Sequence, residues 1–200
     1  MAPQSMRADD GAFIGWGVAA GAYPGLIVPT VAHLKVTDDG GVLLGIGGHE
    51  MGQGIRTALA AAVARTLAIP PESVAVLVGD TRVAPQHVTA GSWGTASAVP
   101  TATDAAEAML QALAQLAPGR SSNQTPAQIL KSVGRASLEV EVRRKAPGQP
   151  DAIYERLAAG LPSIGGPVFP DCVTFSYIAH FVEVRAQHAA HPGPARRQRR

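Results

Sequence analysis

The residues best suited to chemistry form the glycine-dense run Gly45-Ile46-Gly47-Gly48-His49-Glu50-Met51-Gly52-Gln53-Gly54, followed by an alanine-rich stretch. Glycine costs backbone entropy inside a strand or helix, so this density suits a place where the chain turns tightly or approaches a bound group. A helix starting near Ile55 would aim its first N–H groups and the positive end of its dipole at that turn. The chemistry this predicts is capture of an anion, such as a phosphate. A second opening of the same kind stands at Gly91-Ser92-Trp93-Gly94-Thr95-Ala96-Ser97, where glycine and hydroxyls lead into another helix. Two such openings in one domain could clamp one ligand from both sides. Equally, Ser92, Thr95 and Ser97 could simply cap the helix they begin.

Neither opening spells a known reaction. Gly47-x4-Gly52 is followed by Gln53-Gly54 instead of Lys-Ser/Thr, which excludes the nucleoside triphosphate loop. Glu50 stands where a G-x-G-x-x-G would need its third glycine, and His49-Glu50-Met51-Gly52-Gln53 lacks the second histidine of a zinc-protease helix. His33, His49 and His87 have no ligand spacing and read as structural or solvent-facing residues. Asp80 follows a strand and is expected to cap a turn. Cys172 is the only cysteine, so this chain alone builds no disulfide, zinc site or iron–sulfur cluster.

The elements that must position these residues are legible in outline. Phe13 to Ala22 reads as a glycine-kinked strand. Val31–Val36 and Val42–Ile46 flank Asp38-Asp39-Gly40-Gly41, a β-hairpin signal whose second strand delivers the chain to the first opening. Ile55, Leu59, Val63 and Leu67 repeat every fourth residue among alanines, which predicts a helix buried nearly all round. Pro70-Pro71 ends it, and Val74–Val78 is a continuous apolar strand expected to be buried on both faces. The second helix places Ala102, Ala105, Ala106, Met109, Leu113 and Leu116 inward, and Pro100 is tolerable there only in the first turn. Thr125-Pro126-Ala127-Gln128 is a capping box for a short helix that Gly134 stops. Leu138 to Arg143 alternates as a half-exposed strand. Residues 145–171 read as an irregular wrap with at most one helical turn near Tyr154 to Ala159. Val173–Val184 is a strand expected to face the core on both sides. The fold expected is α+β, an α/β sandwich: a mixed sheet of Val31–Val36, Val42–Ile46, Val74–Val78, Leu138–Val142 and Val173–Val184, packed by two long Ala-rich helices. Residues 187–200 carry no pattern that could pack and are expected to be a disordered basic tail.

At 200 residues with 46% hydrophobic content the chain can bury a sizeable core. Only 4% of residues are aromatic, which points to close backbone packing instead of aromatic anchors. The net charge of +2 and pI near 9.0 owe much to Arg196, Arg197, Arg199 and Arg200, and without aromatics such a run is a poor signal for nucleic acid. No apolar run reaches the ~18 residues of a membrane span, and residues 1–10 lack the core of a signal peptide. The expected location is cytoplasmic, with export alongside a partner subunit to the periplasm as the alternative.

Taken together, His49-Glu50-Met51-Gly52-Gln53-Gly54-Ile55-Arg56-Thr57, Gly79-Asp80-Thr81 and Gly91-Ser92-Trp93-Gly94-Thr95-Ala96-Ser97 resemble one family. It is the molybdenum-binding subunit of the xanthine dehydrogenase and aldehyde oxidase enzymes. Order and spacing are similar to those of its second molybdopterin-binding domain. Ser5-Met6-Arg7, Ile14-Gly15-Trp16-Gly17-Val18-Ala19 and Ile178-Ala179-His180-Phe181-Val182-Glu183-Val184-Arg185 look like the bacterial branch with separate subunits. The resemblance covers about residues 3–186, so residues 1–186 are expected to be a partial molybdopterin-binding domain and 187–200 the tail. It implies a molybdenum–molybdopterin cofactor, in the cytosine dinucleotide form, and oxidation of an aldehyde or N-heterocycle with oxygen from water. Electrons would pass to an iron–sulfur subunit and on to an FAD subunit of the same complex. Met51, Gly52, Gln53 and Gly54 match the first cofactor loop, and Gly91, Ser92, Trp93 and Gly94 the second. The family's base is a glutamate in a Gly-Val-Gly-Glu-Pro motif, which does not occur here. No catalytic residue is therefore assigned, and the chain alone is expected to be inactive, a truncated subunit. The alternative expectation, of another class, is a non-catalytic module binding an anion or nucleotide, or a protein partner.

Overall fold

The computed structural model describes residues 6–119 and 123–187. The expected disorder of 187–200 therefore falls, Gln187 apart, outside the described residues. The elements in chain order are β1 (Phe13–Pro24), β2 (Thr30–Thr37), β3 (Val42–Ile46), α1 (Ile55–Leu67), β4 (Val74–Leu77), α2 (Gly94–Leu116), α3 (Pro126–Ser132), β5 (Ser137–Arg144), α4 (Ile153–Ala158) and β6 (Phe175–Ala186). The fold is α+β. The chain divides into two compact units, one of Pro24–Phe175 and the other of Met1–Tyr23 with Ser176–Arg200.

In the first unit, β2 is the hub of a four-stranded mixed sheet in the order β4-β3-β2-β5. It pairs antiparallel with β3 and β5, while β3 runs parallel to β4. A parallel neighbour needs a crossover, and α1 is that crossover. Strand alternation sends Ala32, Leu34, Val36, Val42, Leu44 and Ile46 to one face, where they form one core with α1, α2 and α3. On α1 the four-residue repeat buries Ile55, Leu59, Val63 and Leu67. Arg56, Thr57, Ala61 and Arg65 are exposed, so the helix is amphipathic and not buried all round. Alanine hides this from the sequence, because it is apolar yet costs little in water. The short helix α3 forms as its capping box dictates, with the Thr125 side chain and the Gln128 side chain each taking the other's backbone N–H.

Three more expectations are corrected. β4 has Val74 buried but Ala75 and Leu77 exposed, because these two lie beside Leu43 and Gly45 on the face of the sheet turned away from the core helices. Pro100 lies inside α2, well beyond its first turn. Its missing N–H leaves the carbonyl of exposed Ala96 without the usual helical donor. The helix continues because Ala98, Thr101, Ala102, Ala105, Ala106, Met109 and Leu113 are all buried along it. The third correction concerns β6, which does not join the mixed sheet and faces no core. It pairs with β1 in a separate two-stranded sheet, and all its residues are exposed. Gly15 lies against Val184 and Gly21 against Ile178, so the two strands run in opposite directions. An apolar strand reads the same in sequence whether its own unit covers it or not.

Candidate binding site at two helix openings

The first opening follows directly from β3. Gly48, Gly52 and Gly54 all adopt positive φ, at 132°, 93° and 79°, which lets the chain leave the sheet, loop and enter α1. The mouth of α1 is not free to take an anion. The Glu50 carboxylate accepts the backbone N–H of Gly52 at 2.8 Å, of Gly54 at 3.1 Å and of Arg56 at 3.2 Å. The Arg56 N–H contributes most to holding this carboxyl below the ordinary glutamate range. A side chain of the loop thus fills the anion cradle that the spacing predicts at α1. Gln53 also turns inward: its amide oxygen accepts the Met51 N–H at 2.6 Å, and its nitrogen donates to the His49 carbonyl at 2.7 Å.

The second opening is different. Gly91 and Ser92 are consecutive left-handed residues, with φ of 53° and 60°. Among the described residues, nothing takes up the N–H groups of Gly94, Thr95 and Ala96 at the start of α2, nor the hydroxyls of Ser92 and Thr95. These are the orphan donors of a helix start, and they leave this mouth open to a negative group. Ser97 does not cap it. Its hydroxyl sits one turn in, donating to the Trp93 carbonyl at 2.7 Å and accepting the Val28 N–H at 3.0 Å.

Both openings face one cavity of about 380 Å³, lined by Met51, Gln53, Thr89, Ala90, Gly91, Ser92, Gly94 and Thr95. Of the residues singled out from sequence, the structure brings Met51, Gln53, Gly91, Ser92 and Gly94 to its wall. Gly52, Gly54 and Trp93 do not line it. Gly52 and Gly54 shape the loop behind. Trp93 is buried, with its indole N–H on the Val88 carbonyl at 2.7 Å and its ring beneath Gly91. Thr89 and Ala90 line the cavity without having stood out in the sequence, since the loop before Gly91 carries no motif. The spare lone pairs, amide groups and open N–H donors suit a polar ligand with a negative end.

The residues near this wall carry no metal chemistry of their own. Among the described residues no group of three or more histidine, cysteine or acidic side chains could hold a metal ion. Asp80 caps a turn as expected, and hydrogen bonds from the Arg82 side chain pull it down to about 2. His87 is a buried structural residue. Its Nδ1 lies 3.0 Å from the Val88 carbonyl, so that nitrogen donates, and burial pushes the ring below its ordinary pKa. Its Nε2 is buried with no hydrogen-bond partner among the described residues. No helix of the described residues is long and apolar enough to cross a membrane.

Comparison with known proteins points the same way. The family profile of the molybdopterin cofactor-binding domain matches residues 2–189. No sequence among curated proteins matches the chain. Among solved structures, it is similar to the CO dehydrogenase of Oligotropha carboxidovorans with a TM-score of 0.64 and 17% identity, over 86% of this chain and 24% of that one. Quinoline 2-oxidoreductase of Pseudomonas putida gives 0.59 and 16%, over 88% and 25%. Both of those show the fold alone. The aldehyde oxidoreductase of Desulfovibrio desulfuricans gives 0.53 and 25%, over 86% and 18%. The chain thus spans a quarter or less of the length of the structures it matches.

Proposed function

The chain belongs to the molybdopterin cofactor-binding domain family of molybdenum-dependent oxidoreductases, and from that premise we propose that the cavity between the two openings is where it grips the cofactor. One observation carries the reading: a single cavity is walled by Met51 and Gln53 from one loop and by Gly91, Ser92 and Gly94 from the other. The phosphate-bearing end of the ligand goes to the open mouth of α2, where Gly94, Thr95 and Ala96 offer N–H groups. It does not go to α1, where the Glu50 carboxylate already holds the N–H groups of Gly54 and Arg56 and its negative charge repels a second anion. Met51 and Gln53 meet the opposite side. The Gln53 amide keeps a second N–H and a second lone pair after its bonds within the loop, enough to meet the edge of a polar ring.

When bound, the cofactor supplies the oxygen-transfer and two-electron chemistry, and the protein supplies its orientation. Under this reading the parent enzyme oxidises an aldehyde or an N-heterocycle, with water as oxygen source. The cofactor is the cytosine dinucleotide form, and the electrons leave through iron–sulfur and FAD subunits. Residues 1–186 are the cofactor-binding part. The location is cytoplasmic, or periplasmic if a partner carries the chain across. The chain holds no residue matched to the family's glutamate base and does not turn over substrate alone.

Cytidine diphosphate, the pyrophosphate-bearing part of that cofactor, is the probe. Titrated into the protein, it should shift the backbone amide resonances of Gly91 to Ala96 most, and those of Gly52 and Gly54 by clearly less. Shifts confined to the α1 loop, or none at all, refute the placement. Substantial aldehyde oxidation by this chain alone refutes the assignment of inactivity.

A further inference from the structure

The segment Pro85–Thr89 belongs to no helix or strand, yet it is the contact between the two loops. Gln86 uses its whole amide there: the oxygen accepts the N–H of Gly48 at 3.0 Å and of Gly79 at 3.2 Å. Its nitrogen donates to the carbonyls of Asp80 at 3.1 Å and Ala84 at 2.8 Å. Packing is as tight as the bonding. A Cβ added at Gly47 would lie 2.7 Å from the Pro85 carbonyl oxygen, and one at Gly48 would lie 3.6 Å from the His87 ring. On the other side of the segment, the Val88 carbonyl receives the Trp93 indole N–H at 2.7 Å.

Thr89 is the one member of this segment that both lines the cavity and ties the first loop to the second. Its hydroxyl oxygen accepts the backbone N–H of His49 at 3.1 Å and lies 2.9 Å from His49 Nδ1. The hydroxyl pairs with Nδ1 in either tautomer of the ring, as donor to a bare nitrogen or as second acceptor to a protonated one. One side chain thus fixes both the backbone and the ring of His49, two residues before Met51. Two residues further on from Thr89 the chain reaches Gly91.

We propose that Thr89 is the positioning residue of this cavity, holding the loop of Met51 and Gln53 at a set distance from the loop of Gly91 and Ser92. The proposal rests on reading the cavity as the cofactor site, but its mechanical part does not. Each loop alone is glycine-rich and could take other shapes. The hydroxyl selects the one in which both sets of contacts meet a single ligand. Losing it lowers the population of competent cavity, and the apparent affinity falls by that fraction.

Thr89→Val replaces the hydroxyl with a methyl of similar size, and Thr89→Ser keeps the hydroxyl. Two measurements on the wild-type protein and both variants decide the matter. The first needs no ligand: amide hydrogen exchange at His49 and Met51 should accelerate about tenfold in Thr89→Val, as expected for loss of a hydrogen bond, and stay near wild type in Thr89→Ser. The second is the cytidine diphosphate Kd, which should weaken about five- to tenfold in Thr89→Val and recover to within about twofold in Thr89→Ser. Unchanged exchange in Thr89→Val overturns the proposal, as does a serine variant that behaves like the valine one. Weakened binding with unchanged exchange also overturns it, since Thr89 would then be a direct contact. If the wild-type protein fails to bind cytidine diphosphate, the cofactor reading falls, and the exchange result alone decides whether Thr89 sets the loops.

Discussion

Replacing Gly91 with alanine is the sharpest test of how the second opening is built. At this position φ is +53°, and a Cβ would lie 2.1 Å from Cζ3 and 2.4 Å from Cε3 of the Trp93 ring. No real contact is that short, so the ring must leave its place. Three costs add. The left-handed conformation costs a residue with a Cβ about 1–2 kcal/mol. Overpacking against a buried ring costs about 1–3 kcal/mol. The indole N–H loses the Val88 carbonyl, at about 1 kcal/mol. Some of the second term is relieved as the ring shifts, so the expected loss is about 3–4 kcal/mol. Gly52→Ala is the control, because φ there is +93° but no atom lies within 4 Å of the added Cβ. It should cost only the conformational term, about 1–2 kcal/mol. Urea unfolding followed by Trp93 emission, in a Trp16→Phe background, measures both. Gly91→Ala should also shift the emission of the folded protein to the red as the indole becomes exposed. Equal stabilities for the two variants, with unshifted emission in Gly91→Ala, would refute the argument that the ring beneath Gly91 shapes the α2 mouth.

Two further outcomes follow from the charges around the site. Glu50→Ala should free the N–H groups of Gly52, Gly54 and Arg56, so that sulfate, which should leave that loop unmoved in the wild type, shifts these amide resonances in the variant. If it leaves them unmoved in the variant, the carboxylate is not what closes the mouth of α1. His87 is held neutral by burial, so its folded pKa lies below the unfolded value near 6.5. The unfolded chain then takes up a proton that the folded protein refuses, and stability falls as pH drops from about 6.5 towards the lower folded pKa. A His87→Phe variant should lose that dependence. Parallel melting-temperature curves for the two proteins between about pH 5 and 7 would show that another group controls it.

Much of this was readable in advance because local chemistry dictates it. The Asp-Gly hairpin, the four-residue repeat of α1 and the capping box of α3 each depend on neighbours in sequence, and each forms as written. Order and spacing place a glycine-rich loop before each of α1 and α2, but the meeting of Gln53 and Ser92 at one cavity depends on contacts distant in sequence, such as that of Thr89 with His49. What sequence withheld depends on contacts distant along the chain or on side-chain aim. Nothing in the spacing of Glu50 says that its carboxylate folds back onto the helix it precedes. Trp93 looked like a ligand contact, yet its ring turns under Gly91, and that requires the Val88 carbonyl to be within reach. Thr89 and Gln86 carry no motif, and their role appears only once Gly48, His49 and Gly79 are placed around them. For β6, the sequence gives apolarity but not what covers it.

The ribbon of β1 and β6 changes what heat denaturation of this protein measures. Trp16 is 63% exposed, Tyr177 80% and Phe181 74%, so little apolar surface there is withdrawn from water. A two-stranded ribbon is at best marginal by itself. Segments with few buried contacts open before the core does. The two tryptophans fall in different units, Trp16 in the ribbon and Trp93 behind the cavity. They are therefore thermometers for two separate events, and total fluorescence would blend them into one midpoint that belongs to neither.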